Sequence, residues 1–138
     1  MSHKLTAGGA MPEITLPVVG GGEAKIGGAK DRWQMIIVYR GLHCPICKNY
    51  TAKVEALKDK FDELDTDILF VSGDNAVKAK GFVDEVGINL PVAYDLSVDQ
   101  MRDLGLYVSD PRPTETDHPF PEPGLFVVRP DRTLYWSI

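Results

Sequence analysis

The chain has 138 residues, 43% hydrophobic and 25% charged, with a net charge of −5. That is enough apolar material for one soluble domain with a real core, spanning residues 1–138. The acidic balance, without a basic patch, argues against nucleic acid as a partner, and no apolar run reaches the roughly 18 residues of a membrane helix.

Residues 1–10 are expected to form a flexible end. Met1 to Gly9 lacks the apolar core of a signal peptide, so a reducing cytoplasm is the expected compartment. Met11 to Pro17 reads as a short extended piece, Gly20-Gly21-Gly22 as a turn, and Glu23 to Ile26 as its returning strand. Trp33 to Tyr39 (WQMIIVY) is apolar with little alternation, as in a strand covered on both faces.

Pro45 fits the first turn of a helix, where its missing N–H costs nothing. Beyond it, Ile46, Tyr50, Val54, Leu57, Phe61 and Leu64 recur at spacings of three and four. The spacing predicts one helix with these residues on its core face, and Lys48, Lys53, Lys58 and Lys60 largely on the wet faces. Asp67 to Gly73 reads as a second buried strand. Asp74 or Asn75 is placed to cap a helix to about Val86, with Gly87 as its stop. Leu90 to Tyr94 suits a short strand or an extended arm. Ser97 caps a helix through Leu104, ended by Gly105.

Ser109 to Pro123 holds five of the ten prolines and reads as a stiff loop. Gly124 to Arg129 is a strand, Pro130-Asp131-Arg132 a turn, and Thr133 to Ile138 the return strand. This order gives an α/β layer structure with a mixed central sheet flanked by helices and an N-terminal extension. Right-handed crossover makes Trp33–Tyr39 and Asp67–Gly73 parallel neighbours, with the terminal hairpin adding antiparallel strands. A C-terminal helix is absent, so one end of the sheet is expected to be bare. An uncovered apolar face favours self-association, and a homodimer is the resulting expectation.

Both cysteines lie in one run, Arg40-Gly41-Leu42-His43-Cys44-Pro45-Ile46-Cys47-Lys48, between a strand and a helix. At a helix start the Cys44 sulfur would lie near unpaired backbone N–H groups and the positive end of the helix dipole. Both favour the nucleophilic thiolate. Arg40 and His43 are the nearest groups able to add positive charge. Cys47 sits one turn later and would attack a mixed disulfide at Cys44, leaving Cys44–Cys47 oxidised. The loop this pair closes is too short for much structural stabilisation. Two inert buried cysteines remain an alternative. A zinc site would need more ligands than His43 and the distant His3 and His118 supply, so no metal is expected.

The chain also resembles the thioredoxin-like superfamily and, within it, the peroxiredoxin-like (alkyl hydroperoxide reductase/thiol-specific antioxidant, or redoxin) branch. Met11-Pro12-Glu13-Ile14-Thr15-Leu16 is similar to that branch's Pro-x-Phe-x-Leu segment. Ile36 to Cys47 resembles its apolar strand, Arg-Gly and Cys-Pro-x-Cys. Val71-Ser72-Gly73-Asp74, then Phe82, Pro91 and Asp95, follow its second strand, helix and arm, and Gly124 to Asp131 its Gly-Leu-Phe-x-x-x-Pro-Asp hairpin. The resemblance implies a thioredoxin-like fold. Three positions depart from the peroxiredoxin pattern. Gly41 and Ile37 stand where Thr or Ser and Pro are usual, and Pro123 stands where an arginine holds the thiolate and polarises peroxide. Pro123 instead resembles the cis-proline that faces the Cys-x-x-Cys in thioredoxins.

Together these features predict a thiol–disulfide oxidoreductase. Cys44 attacks, Cys47 resolves, and Arg40, His43, Pro45 and Pro123 support. Electrons come from thioredoxin, glutathione or a similar thiol, without metal, flavin or nucleotide. The alternative keeps the residues and changes the substrate: a thiol peroxidase in which a hydroperoxide oxidises Cys44 to a sulfenic acid that condenses with Cys47. A third reading is a non-catalytic binding module, whose thiol would titrate as an ordinary cysteine near about 8.5. Asp117, His118 and Glu122, in the proline-rich loop, are further candidates because that loop borders the site if Pro123 does.

Overall fold

A computed structural model describes residues 5–28 and 31–138. Chain order is β1 (Ile14–Pro17), β2 (Glu23–Ile26), β3 (Trp33–Val38), α1 (Pro45–Ala56), α2 (Lys58–Glu63), β4 (Thr66–Val71) and α3 (Ala76–Val86). Then come β5 (Val92–Ala93), α4 (Val98–Asp103), β6 (Val108–Ser109), β7 (Phe120–Pro121), β8 (Gly124–Val128) and β9 (Leu134–Ser137). The main sheet runs β5-β4-β3-β8-β9. β3 pairs in parallel with β4, and β4 with β5, while β3/β8 and β8/β9 are antiparallel. The mixed sheet flanked by helices is therefore present. No helix follows β9.

Strand alternation divides the core between the two sheet faces. Ile36, Val38, Leu69, Val71, Phe126 and Val128 point one way, against Ile14, Leu16 and Ile26 of the β1/β2 hairpin and Met101 and Leu104 at α4. Met35, Ile37, Ile68 and Phe70 point the other way, against Val54 of α1 and Phe82 of α3. Gly20, Gly21 and Gly22 all adopt positive φ and turn β1 into β2, as their lack of a Cβ permits.

Several expectations need correction. The first helix divides at Leu57 (φ −102°, ψ 7°), whose N–H closes a tighter bond to Val54 O at 2.9 Å. Its inward residues are Cys47, Thr51 and Val54. Ile46, Tyr50, Leu57 and Leu64 are exposed, Ile46 at 79%. The two apolar rows lie about a quarter turn apart on the helix, and the sheet takes the Cys47 row. The proline-rich stretch also carries a short strand, since β7 pairs with β6. Of residues 1–10, expected to form a flexible end, 8–10 meet the start of β9. Gly8 N–H donates to Leu134 O (2.7 Å), Leu134 N–H donates to Gly9 O (2.8 Å), and Ala10 bridges Thr133. Residues 1–4 of that expectation lie outside the described residues.

Helix α3 is capped by Asn75, which accepts Lys78 N–H, and stops at the left-handed Gly87. Helix α4 is capped by Ser97 with a reciprocal bond from Gln100. These caps place both helix starts beside the carboxyl ends of the central strands, where the site forms.

Candidate active site

β3 ends at Val38 and α1 begins at Pro45, and the intervening turn carries the chemistry. Cys44 is the N-cap of α1, with extended backbone (φ −107°, ψ 101°). In place of the usual oxygen cap, its sulfur accepts the N–H of Cys47 at 3.2 Å. Pro45 occupies the first turn without wasting a donor. Both cysteines are free thiols and buried, Cys44 at 5% and Cys47 at 6% exposure.

The strand end supplies the positive charge. The Arg40 guanidinium stands near enough to the Cys44 sulfur for that sulfur to favour its charge, and Arg40 in turn favours the charged form of Cys47. Burial works against the guanidinium charge, but Glu122, Cys44 and Glu115 outweigh it and keep Arg40 above its ordinary range. Its Nη2 lies 3.3 Å from Glu115 Oε2 and its Nε 3.3 Å from Glu122 Oε2. The guanidinium plane also rests 4.8 Å over the Phe120 ring, a cation–π contact.

Burial and the hydrogen bond with Cys44 push the Cys47 thiol up to about 12. A thiol raised that far stays protonated at neutral pH. His43 packs edge-on against Phe120 at 4.6 Å, and its two ring nitrogens are buried without a partner. Burial, then the charge of Arg40, lowers its pKa, so the ring is neutral at pH 7. His43 is therefore no second cation for the thiolate.

The proline-rich loop closes over this centre. Glu115 and Glu122 hold Arg40, His118 Nε2 meets Asp74 Oδ1 at 3.1 Å, and Lys78 bonds Thr116 and Asp117. Pro123 borders Cys47 along an apolar groove of about 290 Å³ that also takes in Ile46, Tyr50, Leu125 and Ile138. The Glu122–Pro123 bond is trans, against the cis expectation. The chain stays extended from β7 into β8, with Glu122 N–H donating to Tyr107 O at 2.8 Å, so no reversal is needed there.

Arg40, His43, Cys44, Pro45, Cys47 and Pro123 thus come together, and Glu122 and His118 join them. Asp117 serves the loop rather than the sulfur. Sequence reasoning missed Glu115, Phe120 and the site role of Asp74, which it weighed only as a helix cap. Asp74 was visible only as part of Val71-Ser72-Gly73-Asp74. Among the described residues no three His, Cys, Asp or Glu side chains cluster to hold a metal ion.

The AhpC/TSA family model matches residues 7–137. The chain belongs to the AhpC/TSA family. This family member is a thiol-based redox enzyme of peroxiredoxin type with a Cys-Pro-x-Cys pair. Its fold is that of solved peroxiredoxins. A peroxiredoxin-like protein from Aquifex aeolicus superposes with a TM-score of 0.81 at 24% identity, over 98% of this chain and 76% of that one. A cysteine-to-serine mutant of peroxiredoxin 6 from Arenicola marina gives 0.83 at 21% identity, over 97% of this chain and 64% of that one. Peroxidoxin BcpB from Mycobacterium tuberculosis gives 0.82 at 18% identity, over 97% and 85%. A comparison with curated sequences finds none that matches.

Proposed function

We propose that the protein is a thiol peroxidase with Cys44 peroxidatic and Cys47 resolving. The observation that carries this is the Cys47 N–H held at 3.2 Å on the buried Cys44 sulfur, with the Arg40 guanidinium nearby and kept charged in part by that sulfur. Donors so placed hold a thiolate and the negative charge that develops on a peroxide oxygen beside it. Arg40 thereby supplies, from the preceding strand end, the cation that the peroxiredoxin pattern places where Pro123 stands.

The Cys44 thiolate attacks one oxygen of a hydroperoxide, the O–O bond breaks, and the alkoxide or hydroxide leaves and takes a proton. Cys44 is then a sulfenic acid. Cys47 loses its proton and attacks that sulfur, forming the Cys44–Cys47 disulfide and releasing water. A reducing thiol, from thioredoxin, glutathione or a similar donor, restores both cysteines by exchange. The AhpC/TSA match and the peroxiredoxin neighbours support this substrate over the disulfide exchange first expected. The trans Pro123 leaves that exchange reading without the feature that favoured it. A reducing cytoplasm is the compartment proposed for this cycle, since it supplies the reducing thiol.

Stopped-flow mixing of the reduced protein with hydrogen peroxide tests the reading. Fast oxidation of Cys44, followed by disulfide formation, is expected. Slow oxidation together with rapid exchange against a disulfide would replace it with the oxidoreductase reading. The partner surface we infer is a second copy of this chain, set against the bare apolar face beside β9.

A further inference from the structure

We propose that Asp74 is a positioning residue for Cys44, acting through the turn Gly41–Cys44. The inference rests on Cys44 being the nucleophile. Asp74 lies in the β4–α3 connection and is fully buried, at 0% exposure. A buried carboxylate survives only where donors surround it. Its Oδ2 accepts Leu42 N–H at 2.8 Å, and its Oδ1 meets His118 Nε2 at 3.1 Å. Its backbone is pinned as well: its N–H donates to Ser72 Oγ at 3.2 Å, and its carbonyl accepts Asp95 N–H at 2.9 Å. The carboxylate is thus a fixed post between two strand ends.

The turn is laid against that post. Cys44 N–H donates to Gly41 O at 3.1 Å, closing Gly41–Cys44, and Leu42 inside it is the residue tied to Asp74. Gly41 has a φ of +140°, and a Cβ there would lie 2.8 Å from Asp74 Oδ1 and 3.1 Å from Oδ2. The residue that departs from the peroxiredoxin pattern at 41 is therefore the one that makes room for the carboxylate. No other residue supplies both the backbone angle and the space. Asp74 holds the turn from outside, and the turn delivers the Cys44 sulfur to the Cys47 N–H.

Aspartate acts here as an oriented acceptor, and asparagine reproduces that. The amide oxygen accepts Leu42 N–H, and the amide nitrogen takes the place of Oδ1 beside His118 Nε2. Alanine removes the post and leaves Leu42 N–H unpaired.

The experiment is iodoacetamide alkylation of Cys44 at neutral pH in a Cys47→Ser background, with amide hydrogen exchange at Leu42. It needs neither peroxide nor a partner, so its failure leaves the peroxidase reading standing and the reverse also holds. Asp74→Ala is expected to alkylate about tenfold more slowly, as loss of one hydrogen bond implies, and to lose Leu42 protection. Gly41→Ala, which pushes the turn off the carboxylate, should do the same. Asp74→Asn should restore both the rate and the protection. Alkylation of Asp74→Ala at the parent rate, or of Asp74→Asn as slowly as the alanine variant, overturns the proposal. If the alanine variant does not fold, Asp74→Asn decides alone: its Leu42 amide and Cys44 rate must match the parent, and loss of either overturns it.

Discussion

Cys47 donates its backbone N–H to the sulfur of Cys44 at 3.2 Å, so the residue proposed to resolve also holds the proposed nucleophile. The hold comes from the backbone and the resolution from the side chain. The two roles can therefore be separated by mutation.

Cys44→Ser is expected to abolish peroxide reduction. Cys47→Ser keeps the backbone donor and should keep the first oxidation while blocking the disulfide. Intact mass after one equivalent of peroxide should show a sulfenic acid at Cys44 that dimedone traps. An untrappable Cys44 in that variant would count against the assigned roles.

Among the described residues, Arg40 is a cation whose charge the Cys44 sulfur favours. Removing a preorganised donor of this kind costs on the order of 100-fold in rate. Arg40→Gln should slow Cys44 oxidation by that amount in stopped flow. Arg40→Lys should fall between, since it keeps charge but loses the fork that Glu115 and Glu122 orient. An unchanged rate in Arg40→Gln would move the source of activation elsewhere.

The raised Cys47 thiol sets a pH dependence for the second step. Burial, then the hydrogen bond with Cys44, pushes it up to about 12. Deprotonation makes the attacking form, so disulfide formation should accelerate as pH rises through the neutral and alkaline range below that value. Single-turnover kinetics after rapid peroxide oxidation would read it. A resolving step that is flat across this range would show that deprotonation of Cys47 does not limit it.

Glu55 ties the end of α1 to the segment entering β5. It accepts Asn89 N–H at 3.0 Å and Leu90 N–H at 3.2 Å. Burial disfavours its charge, but these two bonds and Lys58 outweigh that and hold its pKa below the usual carboxylate value. The stability it contributes is thus complete above the unfolded-state pKa and is lost as pH falls through the lower folded one. Glu55→Ala should cost about 2 kcal/mol in urea unfolding at pH 7, as for hydrogen bonds to a charged group. The difference from the parent should shrink on acidification.

Trp136 and Ile138 are exposed at the bare end of the sheet, and Ile46 and Tyr50 face the same groove side. Light scattering should show mass rising with concentration toward a dimer, and Trp136→Glu should weaken it. A clean monomer at high concentration would sink the second-copy partner.

The elements were largely legible because their signals are local. Ser97 and Gln100 form their reciprocal cap within one turn, and Gly87 ends α3 with a conformation few other residues accept. The WQMIIVY run reads as a covered strand, and β3 spans Trp33–Val38 of it. In the site, Cys44, Cys47 and Arg40 were readable because the strand end, the turn and the helix start are contiguous in the chain.

What the sequence determined by itself is the Cys-Pro-Ile-Cys pair at a helix start behind an apolar strand, and with it the thiol chemistry. Tertiary structure alone decided which of two apolar rows on α1 faces the sheet, since both repeat with helical spacing and only the neighbouring strands choose. It also decided that Glu115, Glu122 and Phe120 seat Arg40, and that Asp74 fills the space beside Gly41. Those partners lie 33 to 82 positions away in the chain. No local propensity encodes such contacts; they exist only once β3, β4 and the proline-rich loop are brought to one end of the sheet.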